Sequence, residues 1–193
     1  MPLLTPRASP WQWGNIPGPT MASCPDDPVK VFPALIRRSK NPLLIVGSYM
    51  YLELGGRLLA DYAIDIAKAA KCPIVATAHT PKLFYERGFP AAYMSLVDIV
   101  NRLQDPGFTV DPSRAPPHDL VMFLGIRYEF ASQGLSTLKH FAPHLKTMTL
   151  CKWYHPNADW SFPNVKDEEW RKLLDGFIQA LGRPAPTPPS KGG

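Results

Sequence analysis

The sequence predicts a three-layer α/β fold, in which a mainly parallel sheet is covered by helices on both faces. Short, continuously apolar segments alternate with amphipathic segments of helical period. The apolar segments lack the polar alternation of a half-exposed strand, so each strand is expected to be buried on both faces. Repeated strand–helix–strand units place successive strands parallel to one another.

The first predicted strand is Leu43–Gly47, an apolar run that ends in glycine. A helix is predicted over residues 55–70. Its apolar residues recur at steps of three and four, namely Leu58, Leu59, Tyr62, Ile66 and Ala70. Residues 73–77 form the second strand. Thr80 as N-cap, with Pro81 at the first helical position, then begins a helix that ends at about Arg87.

The alternation continues through the second half of the chain. Residues 95–104 predict an amphipathic helix capped by Ser95, and the proline-rich residues 105–118 predict a long irregular excursion. Residues 119–125 form the most strongly apolar strand. A helix at about 129–141 and a strand at 147–151 follow.

The last helix is the best delimited one. Asn164 is the predicted N-cap, and residues 167–169, which are all acidic, suit the positive end of the helix dipole. Gly182 and Pro184 end the helix. Its apolar stripe is Trp170, Leu173, Leu174, Phe177, Ile178 and Leu181.

Proline divides the chain, because eight of the 23 prolines lie in residues 1–33 and four in residues 184–189. We predict a proline-rich N-terminal arm (1–28), one domain (29–182) and a disordered tail (183–193). The arm carries Trp11 and Trp13. These rings either fold back on the domain or anchor on a partner, and the sequence leaves both alternatives open.

Composition excludes several classes of protein. The 193 residues are 45% hydrophobic, and 21 Lys and Arg against 16 Asp and Glu give a net charge of +5. The basic residues are scattered, so we expect no nucleic-acid partner. The longest apolar run, residues 120–126, is far shorter than the ~20 residues of a membrane span. No signal peptide is recognised, so the chain is expected to be a cytoplasmic protein without a membrane anchor.

The three cysteines predict neither a disulfide framework nor a bound cluster. They lie far apart, form no CxxC pair, and an iron–sulfur cluster normally takes four thiolates. Cys72 and Cys151 are expected to be reduced thiols in the core. The histidines form no HExxH motif, so we predict no metal site and place the histidines at the surface or at helix ends.

A candidate ligand site lies where the predicted strands end, since open α/β sheets bind ligands at the carboxyl ends of their strands. The residues there are Gly47, Ser48, His79, Thr80, Gly125 and Arg127. Free N–H groups after Thr80 and the charge of Arg127 suit a nucleotide or a flavin. No GxGxxG, Walker A or GxSxG motif accompanies them. Glycine at tight turns explains these strand ends equally well, and no catalytic residue is predicted.

An aromatic loop, residues 152–163, offers a second candidate surface. It contains Trp153, Tyr154, His155, Trp160 and Phe162. The rings either fill the core at the edge of the sheet or form a docking face for a partner. Our candidate partner contacts are Trp153, Tyr154 and Trp160, together with the two tryptophans of the arm.

Residues 29–181 resemble the epsilon subunit of the archaeal acetyl-CoA decarbonylase/synthase complex, the carbon monoxide dehydrogenase component. The order and spacing of several stretches carry the resemblance. These are SKNPLLIVG (39–47), AAKCPIVAT (69–77), DLVMFLGIRY (119–128), LKHF (138–141) and PNADWSFPN (156–164).

The resemblance implies a Rossmann-like domain, similar to nucleotide- and FAD-binding domains. It also implies a non-catalytic subunit that binds the nickel–iron–sulfur alpha subunit in an α2ε2 unit, where the suggested roles are stabilisation of alpha or help in passing electrons to a flavin. The resemblance suggests FAD as the one candidate cofactor, and it implies no other. A flavin- or nucleotide-binding electron-transfer domain remains the alternative, and a sirtuin-like NAD enzyme would have only His79 placed for catalysis.

Overall fold

The computed structural model describes residues 21–113 and 116–183. The helices are α1 (Pro28–Arg38), α2 (Leu59–Ala70), α3 (Pro81–Tyr85), α4 (Leu96–Arg102), α5 (Tyr128–Phe141) and α6 (Asp167–Gly182). The strands are β1 (Pro42–Val46), β2 (Ile74–Ala76), β3 (Ala92–Tyr93), β4 (Leu120–Leu124), β5 (Lys146–Thr149) and β6 (Trp160–Ser161). Within these ranges, no helix has both the length and the apolar character needed to cross a membrane.

The six strands form one sheet in the order β3-β2-β1-β4-β5-β6, and each neighbouring pair is parallel. This is the strand order of the Rossmann fold, in which the direction of winding reverses between the first and the fourth strand. The predicted three-layer α/β fold is therefore confirmed. Val46, the last residue of β1, pairs with Ala76 on one side and Leu124 on the other.

The central strands are buried on both faces, as their unbroken hydrophobicity predicted. All five residues of β1 and all five of β4 are buried. Leu44 and Val46 pack into a core beneath α1, α2 and α6, whereas Leu43 and Ile45 pack into the opposite core with α4 and α5. Alternate residues of one strand thus serve two separate hydrophobic layers.

Helix α1 is an element that the sequence analysis did not predict. The Asp27 side chain accepts a hydrogen bond from the Lys30 amide at 3.1 Å, and Pro28 occupies the first turn. Pro33 lies inside the helix, where proline removes a backbone donor and ordinarily breaks the structure. Packing offsets that cost, since Phe32 is fully buried and stacks on Phe162 at 5.3 Å between ring centroids.

Other boundaries differ from prediction for local reasons. Helix α2 begins at Leu59 rather than 55, and the short strands β3 and β6 were not predicted. The predicted cap at Ser95 is confirmed, because its hydroxyl accepts from the Asp98 amide at 3.1 Å. The predicted cap at Asn164 is wrong. Its side-chain oxygen accepts from the Tyr154 amide at 2.9 Å instead, and Lys166 precedes α6.

The described part of the N-terminal arm lies against the edge of the sheet. The Ala22 amide donates to the Pro156 carbonyl at 3.0 Å, and Ser23 forms an isolated parallel bridge with Trp160 of β6. Trp11 and Trp13 lie outside the described residues, as do residues 184–193 of the tail. The division into arm, domain and tail therefore stays a prediction.

Candidate functional site

The predicted ligand residues lie at one edge of the sheet, because the strands that carry them are parallel. Gly47 and Ser48 follow β1, His79 and Thr80 follow β2, and Gly125 and Arg127 follow β4. This edge, where the carboxyl ends of the strands meet, includes the position at which the strand order reverses. It is the ligand-binding edge of doubly wound sheets.

The space beside Gly47 is occupied by the chain's own backbone. A Cβ placed on Gly47 would lie 2.5 Å from the Cα of Ile126 and 2.6 Å from the carbonyl oxygen of Gly125. The Gly47 amide donates to Leu124 at 3.1 Å, and the Tyr49 amide donates to Gly125 at 2.9 Å. Glycine at this position therefore permits the ends of β1 and β4 to approach each other closely.

Gly125, at the end of β4, is constrained by its backbone conformation as well as by packing. Its φ of +65° lies in the left-handed region that favours glycine. A Cβ there would lie 2.9 Å from Cδ2 of Leu59 and would also meet Met50. Met50 is fully buried within a short 3-10 helix, Ser48–Tyr51, that follows β1. Both strand-end glycines are thus explained by packing.

Of the two residues predicted after β2, one is buried and one is exposed. Thr80 occupies the predicted N-cap position of α3, with Pro81 first in the helix, but Thr80 is fully buried and its hydroxyl donates to the Thr77 carbonyl at 2.7 Å instead of accepting from a helix amide. The exposed His79 ring stacks on Tyr51 with 5.2 Å between centroids. The Tyr51 hydroxyl also donates to the His79 carbonyl at 3.3 Å. Thr80 is therefore a packing residue, whereas His79 and Tyr51 form an ordered pair at the surface.

The accessible part of this edge is a rim of rings and one cation. We define the carboxyl-edge rim as Ser48, Tyr49, Tyr51, His79, Arg127 and Phe130. Tyr49 and Tyr51 are each 44% exposed and Phe130 is 53% exposed. The guanidinium of Arg127 lies 5.5 Å from the centre of the Phe130 ring. A cation over an aromatic face is attracted by the ring quadrupole, so this contact favours the observed placement of Arg127 against Phe130.

A shallow groove lies beside α3, in the connection between β2 and β3. It is lined by Pro81, Lys82, Tyr85, Gly88, Phe89, Pro90 and Ala91. Tyr85 is 83% exposed, which is unusual for a large aromatic ring in a folded chain. Because α3 begins at Pro81, two residues after the exposed His79, the groove adjoins the carboxyl-edge rim along the chain.

Most rings of the aromatic loop fill the core. Tyr154 and Phe162 are fully buried, and the Tyr154 hydroxyl donates to the Ala22 carbonyl at 2.7 Å. Tyr154 therefore packs within the chain rather than on its surface. Trp160 and Trp153 are half-buried, and the Lys152 ammonium lies 4.9 Å from the Trp153 ring centre. These two tryptophans remain partly accessible.

Two histidines that were expected at the surface are buried, so that prediction was wrong for them. His118 accepts a hydrogen bond from the Val110 amide at 3.0 Å, and its other ring nitrogen lies 3.0 Å from the Asn41 carbonyl. His155 is fully buried and stacks on Tyr128 at 4.5 Å. Burial lowers the pKa of His155 to about 3. Nothing in the local sequence distinguishes these histidines from exposed ones.

The prediction of buried thiols is confirmed. Cys72 and Cys151 are both buried, and neither forms a disulfide with another described residue. Burial raises the pKa of Cys151 to about 11, so this thiol stays protonated and unreactive at neutral pH. Among the described residues, no three His, Cys, Asp or Glu side chains come together as a metal site would need.

Comparison with known proteins identifies close relatives over nearly the whole chain. The family model for the CO dehydrogenase beta subunit/acetyl-CoA synthase epsilon subunit matches residues 5–177, which includes most of the N-terminal arm. The acetyl-CoA decarbonylase/synthase complex subunit epsilon of Methanothermobacter thermautotrophicus is 38% identical over 175 residues, covering 91% of this chain and 97% of that protein. The corresponding subunit of Methanothrix soehngenii is 34% identical over 181 residues, covering 92% and 93%.

Substitution of Gly47 tests the close approach of β1 and β4. The φ of Gly47 is −117°, which any residue adopts, so Gly47→Ala acts through steric overlap with Gly125 and Ile126 and not through backbone strain. We expect a loss of about 3 kcal/mol in the free energy of unfolding, measured by urea denaturation. Gly182→Ala is the control, because a Cβ there meets nothing within 4 Å. Equal effects of the two substitutions would contradict this explanation.

Buried His155 predicts a specific acid sensitivity. Its folded pKa of about 3 lies below the usual 6.5, so the unfolded chain takes up a proton that the folded chain does not. The free energy of unfolding should therefore fall by up to about 1.4 kcal/mol per pH unit as the pH drops below ~6.5. His155→Asn should reduce this slope between about pH 6.5 and pH 5. The matched variant His144→Asn, at an exposed histidine, should not reduce it.

Proposed function

The chain belongs to the CO dehydrogenase beta subunit/acetyl-CoA synthase epsilon subunit family, and we propose that it is the epsilon subunit of an acetyl-CoA decarbonylase/synthase complex. The match covers more than nine-tenths of this chain and of two relatives that carry this name. Similarity over the full length supports the same role rather than a shared module.

Within that complex, the chain acts as a non-catalytic partner that binds and stabilises the CO dehydrogenase alpha subunit in an α2ε2 unit. The packing at the carboxyl edge supports this role. Gly47 and Gly125 are used to bring two strands together, and Thr80 is hydrogen-bonded inside the chain. The side chains that remain available at this edge are large rings suited to contact with another protein surface.

The observation that carries the docking role is the exposure of aromatic rings along one edge. The carboxyl-edge rim and the adjoining groove expose Tyr49, Tyr51, Tyr85 and Phe130. Tyrosine in particular is favoured at the energetic centres of protein interfaces. We propose that the alpha subunit covers this edge, with Trp153 and Trp160 as further contacts. Trp11 and Trp13 remain predicted contacts outside the described residues.

Removing single rings tests the docking surface. Tyr51→Ala and Tyr85→Ala should each weaken binding to the purified alpha subunit by about tenfold or more, since truncation of a central interface ring costs about 2 kcal/mol. The measurement is a titration of alpha subunit with each variant. Phe141→Ala is the matched control. This ring is 65% exposed but ends α5, whose direction places it at the opposite edge of the sheet.

The outcomes separate the two parts of the proposal. Unchanged affinity of the tyrosine variants, with normal binding of the wild-type chain, would contradict the docking surface alone. A wild-type chain purified from its native source without any large metalloprotein, identified by mass spectrometry, would contradict the assignment as a subunit.

A flavin-binding role in electron transfer is the second candidate. No GxGxxG motif supports a dinucleotide at the first strand end, where Gly47 packs against the Ile126 backbone. What favours a flavin is the rim itself, where the stacked rings of Tyr51 and His79 and the cation of Arg127 are exposed at the edge that binds ligands in this fold.

Titration with FAD tests this second role. If the rim binds FAD, flavin fluorescence should be quenched, and the quenching should saturate below ~100 µM FAD. A weaker complex would carry little meaning, because a Kd of 1 mM corresponds to only about 4 kcal/mol of binding free energy. Arg127→Ala should weaken that binding, whereas Arg38→Ala, at an exposed arginine in the last turn of α1, should leave it unchanged. Absence of quenching at this concentration would argue against the flavin role and leave the docking role unaffected.

A further inference from the structure

A buried polar cluster lies between α5 and the segment that joins β5 to β6. Its members are His155, which is fully buried, and Asn157, which is 3% exposed. His155 stacks on Tyr128 in the first turn of α5, and the Asn157 side-chain amide donates to the carbonyl and the hydroxyl of Ser132, each at 3.2 Å. The connecting segment is thus held against the first half of α5 by one ring contact and one amide.

Three polar atoms of this cluster lack a hydrogen-bond partner among the described residues. They are both ring nitrogens of His155 and the side-chain oxygen of Asn157. Buried polar groups in native proteins are almost always hydrogen-bonded, to protein or to ordered water, because an unsatisfied group is strongly destabilising. An apolar ring could stack on Tyr128 in the same way without burying two polar nitrogen atoms. The cluster therefore requires hydrogen-bonding partners.

We propose that His155 and Asn157 form an internal hydration site, whose ordered water molecules link α5 to the segment between β5 and β6. A neutral imidazole offers one N–H donor and one acceptor, and the amide oxygen offers acceptors only. Water can satisfy all three atoms, since each molecule both donates and accepts. The two ring nitrogens point in divergent directions, so the site takes at least two water molecules, one of them shared with Asn157.

Water fits this site better than an ion does. The cluster lies against the apolar core that includes Tyr154, Ala158 and Ala131, and a charge there would lose its hydration. The described surroundings supply no third metal-binding side chain. Internal waters typically make about three hydrogen bonds to groups such as these.

A crystal structure of the full chain, at about 1.2 Å resolution, tests the proposal directly. We expect ordered water within about 3.2 Å of the Asn157 oxygen and of each His155 ring nitrogen. A protein atom in hydrogen-bonding contact with the ring nitrogens would overturn the proposal.

A double-mutant cycle provides a test in solution. His155→Phe keeps the stack but removes the anchor of the shared water, so the folding equilibrium constant should fall about tenfold. Asn157→Ser should also lower it, and the double variant should lose less than the product of the two single effects. A His155→Phe variant as stable as the wild type, or more stable, would overturn the proposal. That result is expected if the ring nitrogens have no hydrogen-bond partner, because an apolar ring then removes two unsatisfied groups. The control is His144→Phe at an exposed position.

Discussion

The close contact between the carboxyl ends of β1 and β4 is the constraint on which the rest of the molecule depends. These two strands occupy the centre of the sheet, and the winding of the chain reverses between them. In many proteins of this architecture, the reversal opens a crevice for a ligand. Here Gly47 and Gly125 permit the two backbones to meet, and the buried Met50 covers the junction. The side chains that remain exposed at this edge are those of the carboxyl-edge rim.

The amino ends of the same strands are held by a different interaction. The carboxylate of Asp119, just before β4, accepts hydrogen bonds from the amides of Lys40 and Asn41 at 2.8 and 3.0 Å and from the Ser39 hydroxyl at 2.5 Å. Burial raises the pKa of Asp119, but these hydrogen bonds outweigh that effect and lower it. The central strand pair is therefore fixed by a charged acceptor at one end and by backbone packing at the other. Fixing both ends of the central strand pair also fixes the positions of the side chains that follow these strands, as the proposed docking surface requires.

Aromatic residues divide between two roles in this chain. Phe32, Tyr154 and Phe162 are fully buried, and they hold α1 and Ala22 against the sheet. The tyrosines after β1 and in α3 are exposed at the edge where a ligand would bind in related folds. Exposed aromatic rings of this kind are the surface that the proposed docking role uses, because large exposed apolar patches commonly mark interaction sites.

The sequence by itself determined the fold class and the family. Continuous hydrophobicity, helical period and turn residues are local properties, and they were sufficient to predict the parallel sheet and most of its helices. Tertiary structure decided the roles of single residues. Gly47 is a packing glycine because of Ile126, Pro33 is tolerated within a helix because Phe32 stacks on Phe162, and His155 is buried because the segment around it crosses beside α5. Each of these outcomes depends on a partner distant in sequence, and no local pattern records such a contact.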